Sequence, residues 1–224
     1  MKKAIIFDLW NTLTYKEGTW ASERLRVLLG LSQDGYFSKY EKAAMTELWP
    51  DVRSACEALC QAFSVGANEE LLTEMVSIYE DGIKDTIYLF DDVGVLPKLR
   101  EAGLKLGLIT NAVSFLSDRG LEMVRYLGSI DVISTSFECQ CVKPDARIFE
   151  KNAASLGISP SECFFVGDTH ESDVEGALRA GLDPIWLRRD GTRATDCAVP
   201  QITSLWELME SPFQEMYPIN SPSC

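Results

Sequence analysis

Short apolar runs separated by helical patterns dominate the second half of this chain. Five runs are mostly apolar and rarely alternate with polar residues, which is typical of parallel strands covered on both faces. They occupy residues 3–7, 104–109, 132–136, 163–166 and 184–187. Helical stripes lie between them, such as the apolar positions Ile148, Phe149, Ala153 and Leu156. This order predicts an α/β fold with a Rossmann-like parallel sheet.

Glycines punctuate the same region. Each follows a helical pattern and precedes an apolar run, as expected where a helix ends and feeds a buried strand. They are Gly103, Gly128, Gly157 and Gly181. The repeated unit of helix, glycine and strand supports the sheet prediction.

The segment from 15 to 88 has a different pattern, in which helix follows helix without a convincing strand. Apolar residues recur at helical spacing from Val52 to Phe63, and Asn68 is placed to cap the next helix. We therefore predict an α/β core domain formed by residues 1–14 and 89–210. An inserted α-helical cap domain occupies residues 15–88, over the active site, and a proline-containing tail occupies residues 211–224.

Polar residues follow several of the predicted strands. Asp8 comes directly after the first, Thr110 and Asn111 after the second, and Asp168 after the fourth, while Lys143 lies shortly beyond the third. Ligands of open parallel sheets bind at the carboxyl ends of the strands. We therefore expect these side chains to converge at one edge of the sheet.

The residue types at this edge suit phosphoryl chemistry. Asp8, Asp168 and Asp173 are hard oxygen ligands of the kind that Mg²⁺ prefers. Lys143 supplies a positive charge for a transferring phosphoryl group, and Thr110 supplies a hydroxyl donor. An aspartate held against such a group can act as a nucleophile and form an aspartyl-phosphate.

Four segments in this order resemble the motifs of the haloacid dehalogenase superfamily. They are Phe7-Asp8-Leu9-Trp10-Asn11-Thr12-Leu13, Thr110-Asn111, Lys143-Pro144-Asp145 and Gly167-Asp168-Thr169-His170-Glu171-Ser172-Asp173. The resemblance spans residues 4 to about 187 and includes a helical cap in the position that the family uses. It implies a hydrolase, most readily a phosphatase, with Asp8 as the nucleophile.

The same resemblance implies roles for the remaining site residues. Thr110 and Lys143 would bind the phosphoryl group as catalytic residues, and Asn111 would contact that group or orient the nucleophile loop. The implied cofactor is Mg²⁺, held by Asp8, the backbone carbonyl of Trp10 and Asp168. Asp173 would support the metal directly or through water.

Trp10 departs from the family pattern. Phosphatases of this family carry a second aspartate at this position, which protonates the leaving alcohol and later deprotonates the attacking water. An indole N–H has no titratable proton near neutral pH. General acid–base catalysis contributes roughly 10²–10⁴ in rate, or ~3–5.5 kcal/mol. We therefore expect an impaired phosphatase that favours good leaving groups.

Other residues near the motifs have structural interpretations. We expect Glu17, His170 and Glu171 to be exposed loop residues rather than replacement acids. Asn11 tolerates a left-handed backbone, so the turn after Asp8 should still form. Thr12 is expected to hydrogen-bond this turn.

Two alternatives to the phosphatase follow from Trp10. A 2-haloacid dehalogenase would use Asp8 without a metal, because halide leaves without a proton. Against it stand the Mg²⁺-type spacing of Asp168 and Asp173 and the lack of a recognisable arginine for the halide. The other alternative is a weakly active or non-catalytic phosphate-binding protein.

The composition of the chain limits the classes of partner that it is expected to bind. The chain of 224 residues has 34 acidic and 21 basic side chains, a formal net charge of −13. Such a surface repels nucleic acid, whereas a small phosphorylated metabolite can still be bound by local cations and a metal. No apolar run approaches the ~18 residues of a membrane span, and we expect a cytoplasmic protein with reduced cysteines. Oligomeric state has no signal in the sequence.

Overall fold

A computed structural model describes residues 2–195 and 198–210, so the predicted tail at 211–224 lies outside the described residues. Eight strands are present in this part of the chain: β1 Ala4–Phe7, β2 Thr14–Lys16, β3 Ile87–Leu89, β4 Lys105–Thr110, β5 Val132–Thr135, β6 Cys163–Gly167, β7 Asp183–Leu187 and β8 Gln201–Ile202. The α-helices are α1 Ala21–Leu28, α2 Tyr36–Ala44, α3 Val52–Phe63, α4 Glu69–Lys84, α5 Val95–Glu101, α6 Asp118–Tyr126, α7 Ser136–Cys139, α8 Ala146–Leu156 and α9 Glu175–Arg179.

Six strands form one parallel sheet in the order β5-β4-β1-β6-β7-β8. Apolar side chains cover both of its faces. Ile5 and Phe7 of β1 belong to one buried cluster, and Ala4 and Ile6 belong to the other, which also contains the apolar stripe of α8. The predicted α/β class and Rossmann-like sheet are confirmed.

The five predicted strands are all present, each within one residue of its expected ends. The glycines that follow the helical patterns adopt positive φ angles, between 63° and 87°. Strand β8 was not predicted. It has only two residues and pairs with β7, too short a segment to show a periodic pattern.

Helices α1 to α4 pack around a hydrophobic cluster of their own, centred on residues such as Leu25, Tyr40, Leu59 and Met75. Asn68 caps α4 as predicted, because its Oδ1 accepts a 2.9 Å hydrogen bond from the backbone N–H of Leu71. None of the helices in the described ranges is long and apolar enough to cross a bilayer.

The expectation that 15–88 contains no strand is wrong at both ends of the segment. Strands β2 and β3 pair antiparallel, with Tyr15 opposite Tyr88, where the chain leaves and re-enters the α/β part. The two rings stack with centroids 5.3 Å apart. Three-residue strands are below the length at which alternation can be recognised in a sequence.

The loop after β4 joins the helical segment to the sheet. Val113 is buried in the cluster of α1 to α4. The ring of Phe115 meets the ring of Tyr79 edge-on at 5.1 Å. The backbone N–H of Trp49 donates to Ser114 Oγ at 3.2 Å. Residues that follow a core strand therefore form part of the packing of the helical segment.

Candidate active site

Strand register brings the predicted site residues to one edge of the sheet. Phe7, the last residue of β1, is paired with Leu108 of β4 and Val166 of β6. The backbone N–H of Asp8 donates to Val166 O at 2.9 Å, which extends the pairing by one residue. Asp8 therefore leaves the sheet beside Gly167 and Asp168, as the sequence predicts.

Lys143 is the centre of a buried ionic cluster. Its Nζ donates to Asp8 Oδ1 at 2.5 Å and to Asp173 Oδ1 at 2.6 Å. The three side chains are only 2–7 % exposed. Burial opposes the charge on Lys143, but the adjacent carboxylates of Asp173 and Asp8 outweigh it and raise the pKa of Lys143 above its ordinary value. The lysine is therefore a fixed positive charge.

Asp173 is positioned by the turn that follows β6. A π-helical turn covers His170–Val174, and the backbone N–H of Thr169 donates to Asp173 Oδ2 at 3.0 Å. Gly167 allows this arrangement, because a Cβ at that position would overlap the Asp173 carboxylate. The turn therefore brings the carboxylates of Asp168 and Asp173, five residues apart in the sequence, close together in space.

Three carboxylates form a group that suits a divalent cation. One oxygen of each of Asp8, Asp168 and Asp173 lies within 4.8 Å of the others. Burial raises the pKa of Asp8 to about 8, opposed by Lys143 and reinforced by Asp173 and Asp168. Burial and then Asp173 raise the pKa of Asp168 to about 6. Crowded carboxylates of this kind are stabilised in their charged form by a bound cation, and hard oxygen donors fit Mg²⁺.

Thr110 and Asn111 lie at the end of β4 as predicted. Thr110 is fully buried, and its Oγ1 donates to Asn111 O at 3.4 Å. Asn111 Oδ1 accepts from the backbone N–H of Lys143 at 2.8 Å, and its Nδ2 donates to Lys143 O at 3.2 Å. Asn111 therefore fixes the backbone that carries Lys143. Contacts of Thr110 and Asn111 with a phosphoryl group stay predictions.

Trp10, two residues after Asp8 and directly before the turn at Asn11, forms part of the cleft wall with its aromatic ring. Its ring meets Trp20 edge-on with centroids 5.3 Å apart. It also packs on α6, where a Cβ at Gly120 would come within 3.1 Å of the indole. Asn11 has a φ of 57°, which confirms the left-handed turn. The hydrogen bond expected from Thr12 is wrong, since its buried Oγ1 has no partner among the described residues.

A cleft of about 730 Å³ opens over the acidic cluster and extends under the helical segment. Asp8, Lys143 and Asp168 lie at the sheet side, and Trp10 and Trp20 form part of its wall. Of the replacement acids considered from the sequence, Glu171 is exposed at the cleft, whereas Glu17 and His170 are exposed elsewhere.

Sequence reasoning missed one residue of this cleft. Glu41 of α2 points to the site, and its Oε1 accepts from Asn111 Nδ2 at 2.8 Å. No periodic or motif signal marks Glu41, because its role depends on how α2 is placed against the loop after β4.

The sheet and site define a Rossmann-like α/β protein whose ligand site, with a buried lysine and three carboxylates, lies at the carboxyl edge of the strands. Residues 3–187 match the haloacid dehalogenase-like hydrolase family. The chain belongs to this family and is an enzyme of it, as its motifs imply.

Several relatives are named phosphatases. The chain is 25% identical over 208 residues to the human N-acylneuraminate-9-phosphatase, covering 84% of each protein. It is 26% identical over 200 residues to the glyceraldehyde 3-phosphate phosphatase of Methanopyrus kandleri, covering 84% of this chain and 85% of the relative.

Solved structures share the fold across the chain. A HAD phosphatase from Thermococcus onnurineus aligns with a TM-score of 0.60 at 24% identity, over 97% of this chain and 99% of that one. A 2-haloacid dehalogenase from Pseudomonas syringae aligns with a TM-score of 0.62 at 21% identity, over 93% and 97% respectively. The fold alone therefore does not separate the two chemistries.

Proposed function

We propose that this protein is a Mg²⁺-dependent phosphohydrolase that acts on a small phosphorylated metabolite through an aspartyl-phosphate on Asp8. The observation that carries the proposal is the buried Lys143 in contact with both Asp8 and Asp173, beside Asp168. Relatives named phosphatases support the same reaction class. The cytoplasmic location stays a prediction.

The metal would be held by Asp8, Asp168 and the backbone carbonyl of Trp10, with Asp173 supporting it directly or through water. When bound, Mg²⁺ neutralises phosphoryl oxygens and aligns the group for attack. Asp8 supplies the nucleophilic oxygen. Lys143 balances charge on the same phosphoryl group, and the Thr110 hydroxyl, which donates to Asn111 O in this structure, would be the further donor.

Burial of the nucleophile serves this chemistry. Asp8 is only 5% exposed, so its carboxylate is poorly hydrated and its attack requires little reorganisation of water. The ammonium group of Lys143 donates to Asp8 Oδ1 and so fixes the orientation of the Asp8 carboxylate. Asn111 fixes the lysine backbone in turn.

Trp10 determines which substrates react fastest. It cannot donate a proton, so the first step should depend strongly on the leaving group. Aryl and acyl phosphates, whose leaving groups depart without a proton, should react faster than alkyl phosphates.

The experiment replaces Asp8 with asparagine and follows hydrolysis of an aryl phosphate with Mg²⁺ and with a chelator. Activity should be lost in both cases. Asp34→Asn is the matched control, because Asp34 is exposed, and it should behave as wild type. Hydrolysis that survives Asp8→Asn would contradict the proposal, as would magnesium binding without any hydrolysis.

Dehalogenation is the competing chemistry, and the residues that line the cleft disfavour it. Lysines supply the positive charge of the cleft, and no arginine is found among the described residues that line the cleft. Release of chloride from 2-chloropropionate in the presence of a chelator, abolished by Asp8→Asn, would favour the dehalogenase instead.

A further inference from the structure

The leaving-group side of the cleft needs a proton donor that Trp10 cannot provide. Outside the metal-type cluster, four acidic side chains line the described part of the cleft: Glu23, Glu41, Asp85 and Glu171. Glu23 binds Arg26 through both oxygens, at 2.9 and 2.6 Å, and Asp85 binds Lys16 at 2.7 Å.

Glu41 differs from the other three. It is half-buried, whereas Glu171 is exposed. Its one hydrogen bond within the described ranges comes from the neutral amide of Asn111, so it has no cationic partner there. A carboxyl group without a cationic partner can hold and release a proton at moderate pH, whereas a salt-bridged one stays ionised.

Three hydrogen bonds connect Glu41 to the nucleophile. Asn111, which binds Glu41, also binds the backbone N–H of Lys143 at 2.8 Å, and the Lys143 ammonium contacts Asp8. Asp8 follows β1 of the sheet, whereas Glu41 belongs to α2 of the helical segment, and both side chains line the cleft. Phosphoryl transfer places the attacking and leaving oxygens roughly in line, so the leaving oxygen faces away from Asp8, toward the helical segment.

Glu41 also has a suitable acidity. Burial raises its pKa to about 7, with the Asn111 hydrogen bond and Lys143 lowering it and Asp173 and Glu171 raising it. A general acid and base is most effective when its pKa lies near the operating pH.

We infer that Glu41 is the general acid and base that partly replaces the aspartate absent at position 10. This inference rests on the proposed phosphohydrolase function. As the Asp8 oxygen bonds to phosphorus and the bond to the leaving oxygen breaks, protonated Glu41 gives its proton to that oxygen. The Glu41 carboxylate then takes a proton from the water that attacks the aspartyl-phosphate, releasing inorganic phosphate and restoring Asp8.

Glu41→Gln tests the assignment without removing the hydrogen bond. The glutamine oxygen still accepts from Asn111, but the side chain no longer titrates. Because kcat/KM reports the steps up to phosphoryl transfer, it should fall about 10²-fold on an alkyl phosphate and change little on an aryl phosphate. The aryl substrate should also show a burst of released phenol, since hydrolysis of the aspartyl-phosphate has lost its base.

Glu23→Gln is the matched control. Glu23 lines the same cleft but is committed to Arg26, and its replacement should leave the ratio of alkyl to aryl kcat/KM unchanged. An equal loss on both substrates in Glu41→Gln, or no loss, would overturn the assignment and leave Glu41 as a residue that only positions Asn111. If wild type shows no hydrolysis that depends on Asp8, the proposed function itself fails, and the two failures are distinguishable.

Discussion

Replacement of Trp10 by aspartate should raise kcat/KM on alkyl phosphates, because it places a titratable carboxyl group two positions after the nucleophile. General acid catalysis contributes roughly 10²–10⁴ in rate. Since Glu41 is inferred to supply part of this effect, we expect a gain near the lower end, about 10²-fold. Aryl phosphates, which need no proton, should gain little.

The same replacement should destabilise the fold by a limited amount. Trp10 is half-buried between Trp20 and α6. Truncation of a fully buried Trp costs about 3–5 kcal/mol, so a half-buried one facing a cleft should cost about 2 kcal/mol. For a chain of this size, that corresponds to a fall in Tm of roughly 4–8 °C. The variant should remain folded.

Gly120→Ala provides an internal check on the packing. In wild type, the added Cβ would lie 3.1 Å from the Trp10 indole. In Trp10→Asp that contact is gone, so the alanine should stabilise α6 by about 0.5–1 kcal/mol. The stabilising effect of Gly120→Ala should therefore be larger in Trp10→Asp than in wild type, measured by thermal unfolding of the four proteins.

The assay compares kcat/KM for an alkyl and an aryl phosphate at saturating Mg²⁺, with Asp8→Asn as background. A folded Trp10→Asp protein whose alkyl-to-aryl ratio equals that of wild type would refute the reasoning. It would mean that position 10 does not face the leaving group in this chain.

Three further outcomes follow from the site. Lys143→Met should abolish hydrolysis and lower stability by about 3–5 kcal/mol, because two buried carboxylates lose their cation; wild-type denaturation midpoints would contradict this. Gly167→Ala should displace the Asp173 carboxylate and weaken Mg²⁺ binding at least tenfold in calorimetry, and unchanged affinity would show that the carboxylate has room to move. Without Mg²⁺, the free energy of unfolding should fall as the pH rises from about 4 to 8, because the folded state holds protons on Asp168 and Asp8 that the unfolded chain has released. Added Mg²⁺ should raise Tm most at the upper end of this range. A Tm without Mg²⁺ that did not change with pH would oppose the assignment.

The sheet and the convergence of polar side chains could be predicted because both follow from local pattern. Buried parallel strands have unalternating apolar runs, and residues that follow them meet at one edge whatever the loops do. Asp8, Lys143 and Asp173 come together for this reason, although their contact distances depend on tertiary packing.

The residues that were missed depend on packing between distant segments. The β2–β3 pair is too short to show a period, and it forms because the chain must leave and return at one place. Glu41 has no local signal, since only the placement of α2 against Asn111 gives it a role. Thr12 was expected to satisfy its hydroxyl locally, but the turn directs that hydroxyl into a buried position where none of the residues that the structure describes accepts from it.

The loop after β4 has a mechanical consequence. Val113 packs in the cluster of α1 to α4, and Ser114 accepts a hydrogen bond from Trp49. Asn111, two residues before Val113, accepts a hydrogen bond from the backbone N–H of Lys143. A swing of the helices away from the sheet would therefore pull on the support of the lysine that contacts the nucleophile. Movement of the helices that opens the cleft to substrate would therefore also disturb the position of Lys143. The catalytic residues would then be correctly arranged only when the helices lie against the sheet.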